Sequence, residues 1–313
     1  MKFFISILIL LFTFFSYSQE RPESFLLELT TPFPNVRDIA MSPNGDEVMF
    51  TAQSIMGNLS AILSSKKINN SWTTPEIVSF SGQFFDLEPF YSSDGLTLYF
   101  VSSRPLSNKT LEPKDFDIWY VKRKNLNSNW VKPINMGSPI NTEYGEFYPS
   151  IAKNGNFYFT RDNTELKTKD DIYVSEFKNN TYLTPEKLSL NINTEGYEYN
   201  AFIYPDESYL LFGSYNRKDG FGSGDLYISF KTDDQWTVAK NLGETINSDK
   251  MDYCPFVDTK TNTLYFTSKR DNTKVQQEKP LTTNELITEL NKADNGSSGL
   301  YRVSIEGLIK TIN

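Results

Sequence analysis

Two series of charged residues recur along the chain with a spacing that could bring them together. Acidic residues occupy one repeated position in four segments, at Asp86, Glu146, Glu198 and Asp252. Arginines occupy a second position 15 to 19 residues later, at Arg104, Arg161, Arg217 and Arg270. Carboxylates and guanidinium groups can brace a fold as ion pairs or bind a charged or sugar ligand. Two carboxylates can also act as acid and base in glycoside hydrolysis.

Composition excludes several other kinds of site. The chain of 313 residues has no His and a single Cys, Cys254. A His-dependent triad and most zinc sites need imidazole, so we expect no metal and no cofactor. The 39 acidic and 31 basic residues give a formal charge of −8, which argues against a nucleic-acid partner. A lone thiol in an oxidising compartment is best kept buried, and we expect this of Cys254.

The elements that must position these residues form a repeat. The motif Ile-Asn-Thr/Ser-Glu/Asp begins at Ile140, Ile192 and Ile246, at intervals of 52 and 54 residues. A Phe ends a short apolar run once in each of five units, at Phe50, Phe100, Phe159, Phe212 and Phe266. Each unit holds four short segments rich in Tyr, Phe, Val and Ile and bounded by Gly, Asn and Asp. Such segments are typical of strands joined by hairpins.

Four-stranded units of this length are typical of the blades of a β-propeller. We therefore predict an all-β, five-bladed propeller of antiparallel four-stranded blades. The last unit lacks a clear fourth strand, and we predict that an N-terminal strand at 25–29 pairs with 300–305 and closes the ring. Six blades remain an alternative only if the insertion at about 271–298 hides strands. Thr282 and Glu285 form a capping-box pattern there, which predicts a helix over 283–292 packed on the rim rather than an irregular loop.

The two charged series should meet on one face of such a propeller. The acids begin the innermost strand of their blades and the arginines end the second strand, so both lie at one mouth of the central channel. Three interpretations of these residues remain open: ion pairs that brace the fold, a face that binds a ligand, and a catalytic pair of carboxylates. Changing Glu146 or Glu198 to the amide distinguishes them, because it would abolish turnover in a hydrolase but would lower stability if the acids are braces.

The N-terminus resembles a secretory signal. Met1-Lys2 is followed by an apolar run from Phe3 to Phe15 and then by small residues that a signal peptidase accepts. Thirteen apolar residues span only about 20 Å as a helix, too short for a membrane. We therefore predict a signal peptide at 1–18, cleavage after Ser18, and one propeller domain over 19–313. The mature chain would be periplasmic or secreted, without a membrane span.

The blade consensus resembles the WD-like repeat of TolB-type β-propellers. The second unit carries it most fully, with Glu88, Pro89, Ser92, Asp94, Gly95, Leu98, Tyr99, Phe100, Ser102, Arg104, Asp117, Ile118, Trp130 and Pro133. The resemblance covers about residues 33–306. It implies an exported protein of the cell envelope that binds other proteins or envelope components.

These observations together predict a binding or scaffold module for a protein or an envelope glycan, acting as a monomer. Its candidate binding residues are the eight of the two charged series, Asp86, Arg104, Glu146, Arg161, Glu198, Arg217, Asp252 and Arg270. The alternative function is a glycoside hydrolase that uses Asp86, Glu146, Glu198 or Asp252 as catalytic carboxylates.

Overall fold

The structure is a computed structural model that describes residues 20–312 except 108, 166–169 and 275. The predicted signal peptide at 1–18 lies outside the described residues. The described chain forms a five-bladed β-propeller of antiparallel four-stranded blades, which confirms the predicted fold class.

The strands of each blade follow one another along the chain. Before the first blade lie β1 (Glu23–Ser24) and α1 (Leu27–Thr30). Blade 1 contains β2 (Asn35–Met41), β3 (Glu47–Gln53), β4 (Ser60–Ile68), β5 (Ser71–Trp72) and β6 (Glu76–Ile77). Blade 2 contains β7 (Asp86–Tyr91), β8 (Thr97–Ser102), β9 (Asp117–Lys122) and β10 (Ile134–Asn135).

Blade 3 contains β11 (Gly145–Ile151), β12 (Phe157–Asp162), β13 (Asp170–Ser175), the short strands β14 (Phe177–Lys178) and β15 (Thr181–Tyr182), and β16 (Glu186–Lys187). Blade 4 contains β17 (Tyr197–Ile203), β18 (Tyr209–Tyr215), β19 (Asp225–Thr232), β20 (Gln235–Trp236) and β21 (Lys240–Asn241). Blade 5 contains β22 (Asp252–Asp258), β23 (Thr263–Ser268), α2 (Thr283–Leu290) and β24 (Gly299–Ser304), and α3 (Glu306–Ile312) follows it.

The hydrophobic core is divided among the junctions between blades. Five clusters of buried apolar side chains each join two neighbouring blades. The cluster between blades 4 and 5, for example, contains Leu211 of blade 4 and Phe266 of blade 5. Because both faces of every blade are covered, the strands bury nearly continuous apolar runs. The Phe that ends each run in the sequence repeat is fully buried in all five blades.

The N-terminus closes the ring, but two residues earlier than predicted. The strand that pairs with β24 is β1, with Glu23 opposite Arg302, and the Phe25 amide donates to the Leu300 carbonyl at 2.8 Å. The predicted strand over 25–29 is wrong, because Leu26 adopts a left-handed conformation and a helical turn follows. Phe25 and Leu26 are both buried. Both side chains belong to the apolar cluster between blades 5 and 1.

The insertion after β23 does contain a helix, from Thr283 to Leu290, and Thr282 forms a capping box with Glu285. Packing of this helix on the rim is a wrong expectation, because none of its residues is buried. The segment that follows the helix is held by two hydrogen bonds. Lys292 Nζ donates to the Asn272 carbonyl, and Tyr301 Oη donates to the Ala293 carbonyl. The apolar side of α2 is left open to solvent.

Candidate functional site

One edge of the ring forms the face on which the predicted site lies. In every blade the first strand begins and the second strand ends at the same edge, as the pairs Asp86 with Ser102 and Asp252 with Ser268 show. We call this side of the propeller the mouth face. The loops from the second to the third strand of each blade also lie on it.

The four predicted acids are each paired with the arginine of their own blade. The distances are 2.7 Å for Asp86 and Arg104, 2.9 Å for Glu146 and Arg161, 3.0 Å for Glu198 and Arg217, and 3.1 Å for Asp252 and Arg270. All four acids are fully buried. Burial raises the pKa of Glu146 to about 7, although Thr142 and Arg161 oppose this shift. The predicted acids and arginines therefore do lie together, as an ion pair within each of the four blades.

Each of these arginines also holds the loop that leads into its blade. The second nitrogen of the Arg161 guanidinium donates to the Ile140 carbonyl at 3.0 Å, and Arg270 makes the same contact with Ile246 at 2.9 Å. The guanidinium of Arg161 lies 4.8 Å from the Tyr173 ring centre and 5.3 Å from that of Phe159. This arrangement supports the brace interpretation. A ligand-binding role of the eight residues stays a prediction.

A different set of residues lines the axis, one from each blade. The first strand of every blade contains a bulge with a non-glycine residue at positive φ, namely Asp38, Glu88, Tyr148, Asn200 and Cys254, with φ between 51° and 57°. All five are buried. Non-glycine residues in this conformation are strained and cluster at functional sites. Repeating the strain in five blades turns five side chains toward one another at the axis.

Arg37 is the centre of the charged network at the axis. Its guanidinium donates to Asp38 Oδ1 at 2.5 Å and to Glu88 Oε1 at 2.8 Å, and lies 3.3 Å from Cys254 Sγ. Asp38, Glu88 and Cys254 are close enough together to suggest a metal site among the described residues. The guanidinium contacts all three, so the place of a cation is already taken by the protein's own arginine. These residues do not fit a metal ion.

Burial tunes the acid groups of this network. Glu88 also accepts hydrogen bonds from the Tyr148 amide at 2.7 Å and from Asn200 Nδ2 at 3.1 Å. Burial nevertheless raises the pKa of Glu88 to about 7, against the opposing effect of Arg37. Burial also raises the pKa of Cys254, whose thiol donates to Asp38 Oδ1 at 2.7 Å. Cys254 is fully buried, as expected of a lone thiol.

A pocket of about 360 Å³ opens above this network on the mouth face. We call it the axial pocket. Its walls include the rings of Phe147, Tyr199 and Tyr253, and its polar groups include Arg37, Glu88, Asn200, Thr160, Asp162 and Asp170. Two buried polar atoms in this lining, Asp162 Oδ1 and Tyr199 Oη, have no hydrogen-bond partner among the described residues. Such atoms are rare in folded proteins and indicate a functional role or a missing ligand.

Sequence reasoning found the mouth face but missed the pocket by one residue. Glu146, Glu198 and Asp252 were predicted, and the residues that follow them, Phe147, Tyr199 and Tyr253, line the pocket. Successive side chains of a strand point to opposite sides, so the acids turn toward their arginines while the next residues face the axis. A signal for the axial residues exists in the sequence: Glu88, Tyr148 and Cys254 each precede a proline.

The loops of the mouth face carry exposed apolar side chains on three adjacent blades. We call them the apolar arc, which consists of Leu286, Ile287 and Leu290 of blade 5, Ile55, Met56 and Leu59 of blade 1, and Leu106 and Leu111 of blade 2. Their exposed fractions range from 46% to 84%. Ile55 and Leu290 line one cleft and Leu59 and Leu111 line another, so the arc crosses both junctions. Exposed acids, Glu143, Glu195 and Asp249, lie on the loops leading into blades 3, 4 and 5.

Comparison with known proteins supports the fold. No protein-family model and no curated protein matches this chain. Among solved structures, it is similar to a glycoside hydrolase at 9% identity, with 86% of each chain covered and a TM-score of 0.54. It is also similar to hydrazine synthase of Kuenenia stuttgartiensis, at 11% identity over 76% of this chain and 36% of that chain, with a TM-score of 0.50.

TolB from Acinetobacter baumannii matches at 14% identity, with 76% of this chain and 49% of that chain covered and a TM-score of 0.46. The chain thus spans about half the length of that TolB. The five-bladed fold agrees with the TolB-like resemblance of the blade consensus. No helix among the described residues has the length and apolar character needed to cross a membrane.

Proposed function

We propose that this protein is an exported binding module that holds a protein partner on its mouth face. The observation that carries the proposal is the apolar arc, eight large apolar side chains that stand in water on loops of three adjacent blades. Exposed apolar side chains are ordinary when they are scattered, but a contiguous group marks an interaction site. Export is supported by the signal-like run at 3–15.

The described apolar side chains of the arc are exposed, so burial in the core does not explain their composition. Ile55 and Met56 lie at the tip of the β3–β4 hairpin, where a tight turn at Gly57 needs no apolar neighbour. None of the residues of α2 is buried, and the segment that follows the helix is held by the contacts of Lys292 with Asn272 and of Tyr301 with Ala293. A fixed helix with an open apolar side is what a helix-binding or loop-binding partner requires.

Photo-crosslinking in the exporting cell tests this proposal. A photoreactive amino acid is placed at Ile55, Leu111 or Ile287 of the mouth face. The matched controls are the similarly exposed Ile77 in β6 and Val238 between β20 and β21. We expect one and the same protein partner, identified by mass spectrometry, from all three mouth positions and none from the controls. Equal labelling at all five positions would contradict the proposal. So would a crosslinked product that glycan-degrading enzymes remove and proteases do not, because the partner would then be a glycan.

Export is tested on the same sample. Sequencing the N-terminus of the protein recovered outside the cytoplasm should give a chain that begins at Gln19. A full-length chain that stays in the cytoplasm would show that the run at 3–15 is not a signal.

A glycoside hydrolase is the second candidate, and Glu88 is the observation that favours it. A carboxyl with a pKa raised to about 7 at the base of a pocket suits a general acid. One similar structure is a glycoside hydrolase, but at 9% identity this likeness concerns the fold alone. Aryl glycosides of several sugars provide the test. Turnover that disappears in Glu88→Gln and persists in Glu146→Gln would support hydrolysis, whereas a wild-type chain without turnover excludes these substrates.

A further inference from the structure

We infer that the cleft between blades 1 and 2 receives a large uncharged side chain of the protein partner, of the size of Trp or Phe. This inference rests on the proposed binding function and adds the chemistry that the partner must present at one place on the mouth face. We call the site the blade 1–2 cleft. It has a volume of about 510 Å³, and its apolar lining consists of Leu59, Phe84, Phe85, Leu111, Pro113 and Phe116.

The apolar lining of the cleft is accessible to a ligand. Leu59 of blade 1 and Leu111 of blade 2 are 63% and 70% exposed. The rings of Phe85 and Phe116 are half-buried and pack edge to face, with their centres 5.5 Å apart. An apolar side chain in the cleft would remove this surface from water, which is favourable, and an aromatic ring offers the largest area for it.

The charged and buried polar side chains of the lining already have partners within the protein. Lys114 is the one charged residue among the described lining residues, and its Nζ forms ion pairs with Asp115 and, at 2.7 Å, with Asp117. Ser60 and Ser103 are buried and are hydrogen-bonded to backbone groups of residues 86 and 85. A charged group that entered the cleft would lose its hydration without gaining a free partner of opposite charge.

Two of the segments that form the cleft carry no charge in their sequence. Charged residues make up 22% of the chain, yet none lies in 54–60 or in 78–85. On the β8–β9 loop, Lys109 and Glu112 are exposed outside the lining. The centres of protein interfaces are depleted of charged residues and are surrounded by a polar rim. The cleft and its surroundings have this arrangement, which favours a protein partner with an uncharged side chain at its centre.

The cleft is held in shape by the protein itself. The Ser103 amide donates to the Phe85 carbonyl at 3.1 Å, and the Lys114 amide donates to the Ser103 carbonyl at 2.9 Å. Phe116 also packs against Phe147, with ring centres 5.2 Å apart. A preformed pocket costs little ordering when it binds, and side chains that dominate an interface commonly fill such pockets. A volume of about 510 Å³ is ample for one aromatic side chain.

An NMR titration of the isotopically labelled protein with N-acetyl-tryptophanamide tests the inference. N-acetyl-glutaminamide serves as the uncharged polar control. We expect concentration-dependent shifts confined to residues around the cleft for the tryptophan compound and none for the glutamine compound. A double variant, Leu59→Ser with Leu111→Ser, should weaken binding about five-fold or more, because it removes apolar surface from both blades. The matched control Ile77→Ser, at an exposed position in β6, should change binding by about two-fold at most.

Leu111→Asp gives a second variant if the double variant does not fold. Its carboxylate would stay in water in the free protein but would lose hydration when a side chain enters the cleft, so binding should again weaken about five-fold or more. Val238→Asp, at a similarly exposed position, is its control. The inference is overturned if the tryptophan compound gives no shifts, if the glutamine compound binds equally well, or if both cleft variants bind like the wild type.

A lipid is the other occupant that an apolar cleft could take. Co-sedimentation of the protein with phosphatidylcholine vesicles, lost in the double variant, would assign the cleft to lipid and overturn the inference. Protein that stays in solution with the vesicles while binding the tryptophan compound supports it.

The result is separable from the fate of the proposed function. A partner crosslinked from Ile287 together with a cleft that ignores the tryptophan compound would overturn the inference and leave the binding module intact. Binding of the compound without any crosslinked partner would refute the protein partner, and with it the source of the side chain. If both succeed, the double variant should lower the crosslinking yield from Ile287 about five-fold or more, and an unchanged yield would show that the partner does not use the cleft.

Discussion

Glu88 connects the strained backbone of the axis to the axial pocket. Its left-handed conformation places its carboxyl against Arg37, the Tyr148 amide and Asn200, at the base of the pocket. A buried carboxyl that gains only partial compensation prefers its neutral form, which explains the raised pKa. The strained conformation recurs at the same position in every blade, whereas a pKa raised to about 7 belongs, among these five residues, to Glu88.

Glu88 should make stability depend on pH. Its folded pKa of about 7 lies above its ordinary value of 4.5, so its contribution is fully present below about pH 4.5 and is lost as pH rises through 7. Glu146 acts in the same direction. We expect the free energy of unfolding to fall between pH 5 and pH 8, and Glu88→Gln to reduce this fall by on the order of 2 kcal/mol.

Chemical denaturation at pH 5 and pH 8 measures the fall in the free energy of unfolding between these two pH values. This pH slope is informative even if the variant is less stable than the wild type at both pH values. Glu143→Gln, at an exposed position, serves as the control and should leave the slope unchanged. An identical slope in Glu88→Gln and wild type would show that Glu88 does not titrate in this range.

The ion pairs of the four predicted acids should contribute to stability. Arg161→Gln would leave Glu146 fully buried with only its Thr142 contacts. We expect a loss of about 3 kcal/mol in the free energy of unfolding, because breaking a buried pair leaves one charge uncompensated. Crosslinking to the partner should persist in this variant. A stable variant that no longer binds would instead assign Arg161 to the ligand site.

At the scale of elements, the repeated Ile-Asn motif joins blades 3, 4 and 5 each to the blade before it. The Asn193 side chain accepts a hydrogen bond from the Ile172 amide at 2.8 Å and donates to the Ile172 carbonyl at 2.9 Å. Asn141 and Asn247 make the same pair of contacts with Ile118 and Leu226. A loop side chain thus completes the ladder of a third strand where a neighbouring strand is lacking.

Removing one of these clamps should therefore loosen a blade junction. Asn193→Ala leaves a buried amide and two buried carbonyls without their side-chain partner, since Asn193 also donates to Leu188. We expect a loss of about 2–3 kcal/mol in the free energy of unfolding. Asn129→Ala, at an exposed position, should change it by less than about 0.5 kcal/mol. Equal effects of the two changes would mean that the clamp is replaced by solvent.

At the scale of the whole molecule, the ring depends on a very short N-terminal strand. Only Glu23 and Ser24 pair with β24, and the buried Phe25 packs against Tyr265 with ring centres 4.8 Å apart. The ion pair between Glu23 and Arg302 is largely exposed, so it adds little. Closure therefore rests on the backbone pairing and on the Phe25 ring.

A chain that begins at residue 26 should open blade 5. Compared with a chain that begins at residue 20, we expect a loss of at least about 2 kcal/mol from the burial of Phe25 alone. Hydrogen exchange should become faster at the amides of β24. A Glu23→Gln variant of the longer chain is the control and should match it. Equal exchange in the short and long chains would show that β1 does not close the ring.

The sequence by itself determined the repeat and therefore the propeller. Strand period, hairpin residues and the buried Phe of each unit are local properties, and they were enough to predict the five four-stranded blades that the structure shows. The recurrence of an acid and an arginine also predicted their meeting on one face. Local chemistry did not fix the end of the N-terminal strand, because burying both Phe25 and Leu26 depends on the neighbouring blades.

The site itself was decided by the tertiary structure. Which of two adjacent residues faces the axis depends on the bulge at Asp38, Glu88, Tyr148, Asn200 and Cys254, and a bulge reverses the alternation that sequence reasoning assumes. Five residues separated by about 50 positions each become neighbours only when the ring closes. The acids that recur most regularly each pair with the arginine of their own blade. The axial pocket instead combines an aromatic position that recurs, at Phe147, Tyr199 and Tyr253, with polar residues that differ between blades, and only the closed ring brings the two together.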